Sequence, residues 1–159
     1  MKKIIMLCSF LIVVTFVWQG INFFKTVNEP LTEKINVAQS FVKENTTMEA
    51  IDAVDFYHGN EAFYIFKGIN NEKDDIIIWV PESFDTYIKK HQDEGLSFQD
   101  VVDFTNSELN PKEIISIKLG MENLIPLYEI IYKDQQGRYS YYYISFKDGS
   151  YLKHYHLKV

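Results

Sequence analysis

The sequence predicts an α+β protein: an N-terminal transmembrane helix followed by two small units, each a helix packed on an antiparallel sheet. Three observations predict it. A single long apolar run stands at the N-terminus behind two lysines. After it, apolar residues recur first at helical spacing and then in short alternating, strand-like stretches. That order occurs twice, at an offset of about 66 residues, with Ile65, Phe66 and Lys67 falling on Ile131, Tyr132 and Lys133.

Residues 1–25 are predicted to be a cytoplasmic stub and a membrane anchor. Lys2 and Lys3 precede an apolar run from Ile4 to Phe24, 21 residues, which as a helix spans a hydrocarbon core of about 30 Å. Phe16, Val17 and Trp18 stand where a signal peptidase needs small residues, so the run reads as an uncleaved anchor. Trp18, Phe23 and Phe24 suit an aromatic belt, and the lysines hold the N-terminus in the cytoplasm. The remainder is expected outside the cell membrane.

Residues 26–81 form the first unit. Pro30 suits a first helical turn, and Leu31, Ile35, Ala38, Phe41 and Val42 share one helical face. Three strands follow: Ala50 to Tyr57, Ala62 to Lys67 and Ile76 to Val80, closed by Pro81. Residues 82–95 read as a linker. From Ser83 to Glu94 it is either a helix with Phe84, Tyr87, Ile88 and His91 inward, or a solvated connection. The second unit, 96–159, opens with Ser97 and Asp100 spaced as a capping box. Phe98, Val101, Val102 and Leu109 then mark a helical face. Strands are predicted at Glu113 to Leu119, Leu127 to Lys133, Arg138 to Phe146 and Tyr151 to Leu157, with Asp148-Gly149 as a hairpin signal.

Composition narrows function. The chain has 159 residues, a net charge of −6 and a single arginine, Arg138, so it lacks the basic surface that nucleic acid requires. Cys8, the one cysteine, lies within the apolar run, so the outer part has no disulfide, thiolate metal site or cysteine nucleophile. Catalytic signatures are incomplete. His154 and His156 alternate on a strand and could share a metal with His58 or His91, yet a bare pair reads first as solvent-facing polar residues. The carboxylate pairs Asp74-Asp75, Asp93-Glu94 and Asp52/Asp55 sit in polar stretches. Ser40 to Lys43 and Ser150 to Lys153 have the spacing of a serine–lysine nucleophile without its companion elements. No catalytic residue, metal or cofactor is therefore assigned.

The aromatic strand is more informative. Alternation places Tyr139, Tyr141 and Tyr143 on one face of a strand, and tyrosine tolerates both water and protein contact. These three, extended by Tyr128 and Tyr132, are the candidate partner-binding surface. The competing reading is that they cover the sheet or fill the seam between the two units.

The lysine-led anchor and Ile78-Trp79-Val80-Pro81-Glu82 resemble the TseB-like cell wall elongation regulators of Gram-positive bacteria. Lys118 to Asn123, Pro126 to Asp134, Tyr141-Tyr142-Tyr143 and Phe146 to Gly149 resemble a PepSY-type domain, and the paired units resemble tandem cystatin-like folds. The resemblance implies a non-enzymatic, membrane-tethered partner of the elongation machinery, binding a class B penicillin-binding protein. It supplies no catalytic residues. The alternative it suggests is a protease-inhibiting or protease-regulating module at the envelope.

Overall fold

A computed structural model describes residues 13–19 and 32–157. By internal contacts the chain divides into two compact units, Met1–Val37 and Ala38–Val159. In the first, residues 13–19 are helical with exposed side chains. The rest of the predicted anchor lies outside the described residues. Among those described, no helix is long and apolar enough to cross a membrane.

The second unit carries two four-stranded antiparallel sheets, ordered β1-β2-β3-β4 and β5-β6-β7-β8. Helix α1, residues 32–45, contributes its last turns to this unit. The first sheet comprises β1 (Met48–His58), β2 (Ala62–Asn70), β3 (Asp75–Pro81) and β4 (Ile88–His91). A short 3₁₀ turn, Gln92–Glu94, and α2, Phe98–Phe104, lead to the second sheet. That sheet comprises β5 (Glu113–Glu122), β6 (Ile125–Lys133), β7 (Tyr139–Ser145) and β8 (Tyr151–His156).

Residues 82–95 depart from the expected helix or linker. Ile88 to His91 pairs antiparallel with β3, Trp79 opposite Ile88, and completes the first sheet. The reason is local. One apolar side chain suffices for a short edge strand, and Lys89 and Lys90 suit an edge facing water.

Every residue from Ile76 to Val80 is buried, because the first sheet is covered on both faces. On one face Tyr64 stacks on Phe84 at 5.7 Å, and Phe84 meets Phe41 of α1 at 6.4 Å. Ala38 and Val42 are buried there. The opposite face, with Tyr57, Phe63, Ile65, Ile77 and Trp79, joins one core with Leu119, Met121, Leu127, Tyr128, Ile130 and Phe146 of the second half. Strand β5 lies against β1 and β2. The Trp79 indole donates to the Gly120 carbonyl at 3.0 Å and meets Phe146 edge-on at 5.7 Å.

The capping box forms as the sequence predicts: Ser97 Oγ accepts from the Asp100 amide and the Asp100 carboxylate accepts from the Ser97 amide. Val101 is buried and Phe104 packs on Tyr142 at 6.0 Å. Phe98, expected on the apolar face, is 57% exposed. It is the first residue of α2, directly after the N-cap Ser97.

Candidate functional site

Strand register decides which tyrosines share a face. At the β6–β7 hairpin, Asp134 gathers the turn: one carboxylate oxygen accepts from the Gln136 and Arg138 amides, both at 2.9 Å, and the other from Arg138 Nε at 2.7 Å. This turn sets Ile131 opposite Tyr141 and Glu129 opposite Tyr143. Tyr128 and Tyr132 instead face Ile144 and Ser140, so they lie on the other side of the sheet. A one-residue difference in register moves a side chain to the opposite face, and the sequence alone does not set that register.

The five candidate tyrosines therefore divide. Tyr128 and Tyr132 lie on the α2 side and are buried. The Tyr128 hydroxyl donates to the Leu96 carbonyl at 2.9 Å, and burial pushes its phenol up to about 12. Tyr143 points to the other face but is buried near the seam with the first sheet. Tyr141 is half-buried and Tyr139 is 39% exposed. Of the five, only Tyr139 and Tyr141 keep appreciable surface for a partner.

That surface continues onto β8, which forms one edge of the sheet. Tyr155 pairs with Tyr141 and stacks on it at 5.0 Å with the rings nearly parallel, 8° apart. Leu157 donates its backbone amide to the Tyr139 carbonyl at 2.8 Å. Tyr155 and Leu157 are 42% and 47% exposed. Lys133 reaches over the Tyr139 ring at 5.3 Å. The result is a small aromatic strip, Tyr139, Tyr141, Tyr155 and Leu157, at the open end of a sheet face whose other end is closed.

A polar network closes that other end. Tyr143 donates to Glu129 at 2.6 Å and its hydroxyl lies 3.0 Å from that of Tyr155. Tyr57 of the first sheet donates to Glu122 at 2.9 Å. Lys153 pairs with Glu122 and sits 4.2 Å over the Tyr143 ring. Burial pushes the Tyr57 and Tyr143 phenols far above their ordinary range, and their carboxylate partners push in the same direction. Both phenols stay neutral and donate, so the network seals the seam with satisfied hydrogen bonds. Glu122, Glu129 and Tyr155 were not singled out in the sequence, and Lys153 stood out only for its spacing from Ser150. Glu129 could have been: it is the one charge inside Leu127 to Tyr132, and a carboxylate within a buried strand implies a hydrogen-bonding partner.

The other candidates are placed elsewhere. His154 and His156 lie on the α2 side, their rings 4.4 Å apart. His156 meets Ser140 Oγ at 2.7 Å, and His154 Nε2 lies 3.4 Å from the Tyr132 hydroxyl. Burial, then the neighbouring His156, lowers the His154 pKa. Among the described residues no three His, Cys, Asp or Glu side chains come together as metal ligands. His58 is exposed beside Phe56, and His91 caps the 3₁₀ turn. Asp55 pairs with Lys67 at 3.2 Å and Glu94 with Lys90 at 2.7 Å. Asp74 accepts from Asn70 at 3.0 Å. Ser40 and Lys43 are exposed on α1.

Comparison with known proteins adds three findings. A family described as the cell wall elongation regulator TseB-like domain matches residues 38–81, the end of α1 and strands β1 to β3. A curated relative, the probable cell wall elongation regulator TseB of Bacillus subtilis (strain 168), is 27% identical over 131 residues, 82% of this chain and 81% of the relative. A solved structure, the YpmB protein from Bacillus subtilis, has a TM-score of 0.71 and 26% identity, covering 77% of this chain and 96% of that one.

Proposed function

With the TseB-like family supported by all three comparisons, we propose that this chain regulates cell wall elongation as a non-catalytic docking protein bound to a class B penicillin-binding protein. The regulatory role follows from homology to a probable elongation regulator. The specific partner rests on the resemblance noted in the sequence. The observation that carries docking is the strip of exposed Tyr139, Tyr155 and Leu157 around half-buried Tyr141 at a sheet edge. Stacked tyrosines present wide apolar area with few rotamers to freeze, and an edge strand offers backbone groups for strand addition.

The apolar run from Ile4 to Phe24 anchors the module in the membrane, with the two sheets outside. Confinement to a surface raises the effective concentration for another anchored protein, so weak contacts suffice. The test is crosslinking and affinity capture of the full-length protein from intact membranes, read by mass spectrometry. The expected result is a class B penicillin-binding protein, lost when Tyr139, Tyr141 and Tyr155 are replaced by Ser in a protein with unchanged circular dichroism. Undiminished capture by that variant removes the strip as the docking site. Capture of an envelope protease in place of the synthase favours the protease-regulating alternative.

A further inference from the structure

A second surface lies apart from the tyrosine strip. A cleft of about 420 Å³ is lined by Ala62, Phe63, Trp79, Pro81 and Ile88 of the first sheet, by the 82–87 loop, and by Leu124. Its lining holds three carboxylates, Glu61, Glu82 and Asp85, and no Lys, Arg or His. All three are exposed, whereas Phe63 and Trp79 are buried. The cleft is thus apolar at its base and negative at its rim.

Leu124 is the unusual member. Glu122 pairs with Ile125, so Asn123 and Leu124 are the two central residues of the β5–β6 hairpin. Both have positive φ, 49° and 62°, the backbone of a type I′ turn, whose second position favours Gly. A leucine there carries left-handed strain, and its side chain is 67% exposed. The fold gains no backbone comfort and little buried area from it. A strained, solvent-facing apolar residue at the lip of an apolar cleft is accounted for by contact with something outside the chain.

We propose that this cleft binds a peptide segment of a partner protein in which a bulky apolar side chain is flanked by Lys or Arg. The apolar side chain fills the space between Leu124 and the Phe63–Ile88 floor, and the cations meet Glu61, Glu82 and Asp85. The volume lies toward the low end of ligand clefts, about 300–1,000 Å³, which suits one anchoring side chain rather than a folded element. The surface is separate from the tyrosine strip, so the proposal goes beyond the docking described above and does not depend on it.

The test uses the full-length protein in detergent and three fluorescein-labelled peptides, Gly-Lys-Trp-Lys-Gly, Gly-Glu-Trp-Glu-Gly and Gly-Lys-Ser-Lys-Gly, followed by anisotropy. The basic tryptophan peptide is expected to bind at least about tenfold tighter than the acidic one, a preference that shrinks in high salt. It should also exceed the serine peptide by about fivefold or more, the apolar share of the contact. Leu124→Gly relieves the turn, so it should weaken this binding without lowering the melting temperature, which excludes unfolding as the cause. The combined Glu61→Lys, Glu82→Lys and Asp85→Lys variant should reverse the charge preference. Equal affinity for the basic and acidic peptides, or undiminished binding by the Leu124→Gly protein, overturns the proposal. Self-association that Leu124→Gly abolishes overturns it as well, since the occupant would then be a second copy.

Discussion

Replacing Trp79 with Phe tests the joint between the two sheets. The indole is fully buried, donates to Gly120 at 3.0 Å and meets Phe146 at 5.7 Å. Phenylalanine keeps the ring against Phe146 but removes the donor and part of the bicycle. Leaving a buried acceptor without this partner costs about 1–3 kcal/mol. The smaller ring also leaves a void, worth about 1–2 kcal/mol by cavity arguments. Part of this is recovered by relaxation, so the expected loss is about 2–4 kcal/mol. At a urea slope near 2 kcal/mol per molar, the midpoint falls by about 1–2 M. The assay is urea unfolding of wild type and variant in the same detergent, followed by far-ultraviolet circular dichroism. Because one core spans both sheets, a single transition should persist. A loss below about 1 kcal/mol would refute this account of the joint, and so would a transition that is already biphasic in the wild type.

Two further outcomes follow from the same geometry. Tyr57, Tyr128 and Tyr143 have phenol pKa values raised by burial. Their contribution to stability is complete below the unfolded value near 10 and fades as pH climbs toward the folded values, because only the unfolded chain releases its protons. Each should steepen the alkaline fall in unfolding free energy by about 1.4 kcal/mol per pH unit above about pH 10, which is about 0.7 M in the urea midpoint at the slope used above. Tyr143→Phe should make the slope shallower, and an identical slope would contradict the assignment. Gly68→Ala should destabilise more than Gly120→Ala in thermal melts. A methyl at Gly68 would stand 2.0 Å from the Ala50 backbone oxygen, whereas at Gly120 the nearest obstacles are Tyr57 and Leu127 side-chain atoms at 2.7–2.8 Å. Side chains swing aside at about 1–3 kcal/mol, but a paired strand does not.

The repeated helix-and-strands order was legible because each strand carries enough apolar residues to mark it. The offset also aligned equivalent strands, since Phe66 lies on β2 and Tyr132 on β6. What escaped was set by pairing. Ile-Lys-Lys-His reads as part of a linking helix or a solvated connection until β3 supplies a partner for it. Asn123-Leu124 did not read as a turn because its second residue is not the glycine that geometry prefers. The tyrosines were legible as aromatic residues at strand spacing, but not as core or surface. That distinction depended on the hairpin register and on Tyr57 arriving from residues far away in sequence. Thus Tyr155, outside the predicted set, joins the strip, and Tyr128, Tyr132 and Tyr143, inside it, are buried.

The bond from Trp79 to Gly120 spans 41 residues, and that interval acquires meaning during synthesis. The first sheet is complete at His91, yet the face carrying Tyr57, Phe63 and Trp79 has no cover until β5 emerges. At about 5–20 residues per second, those aromatic rings wait several seconds. During that interval a nascent chain presents an apolar sheet to any neighbour. Factors that hold emerging chains would meet this protein at that stage, and a chain cut short between the two sheets would be expected to aggregate rather than persist as a half-sized module.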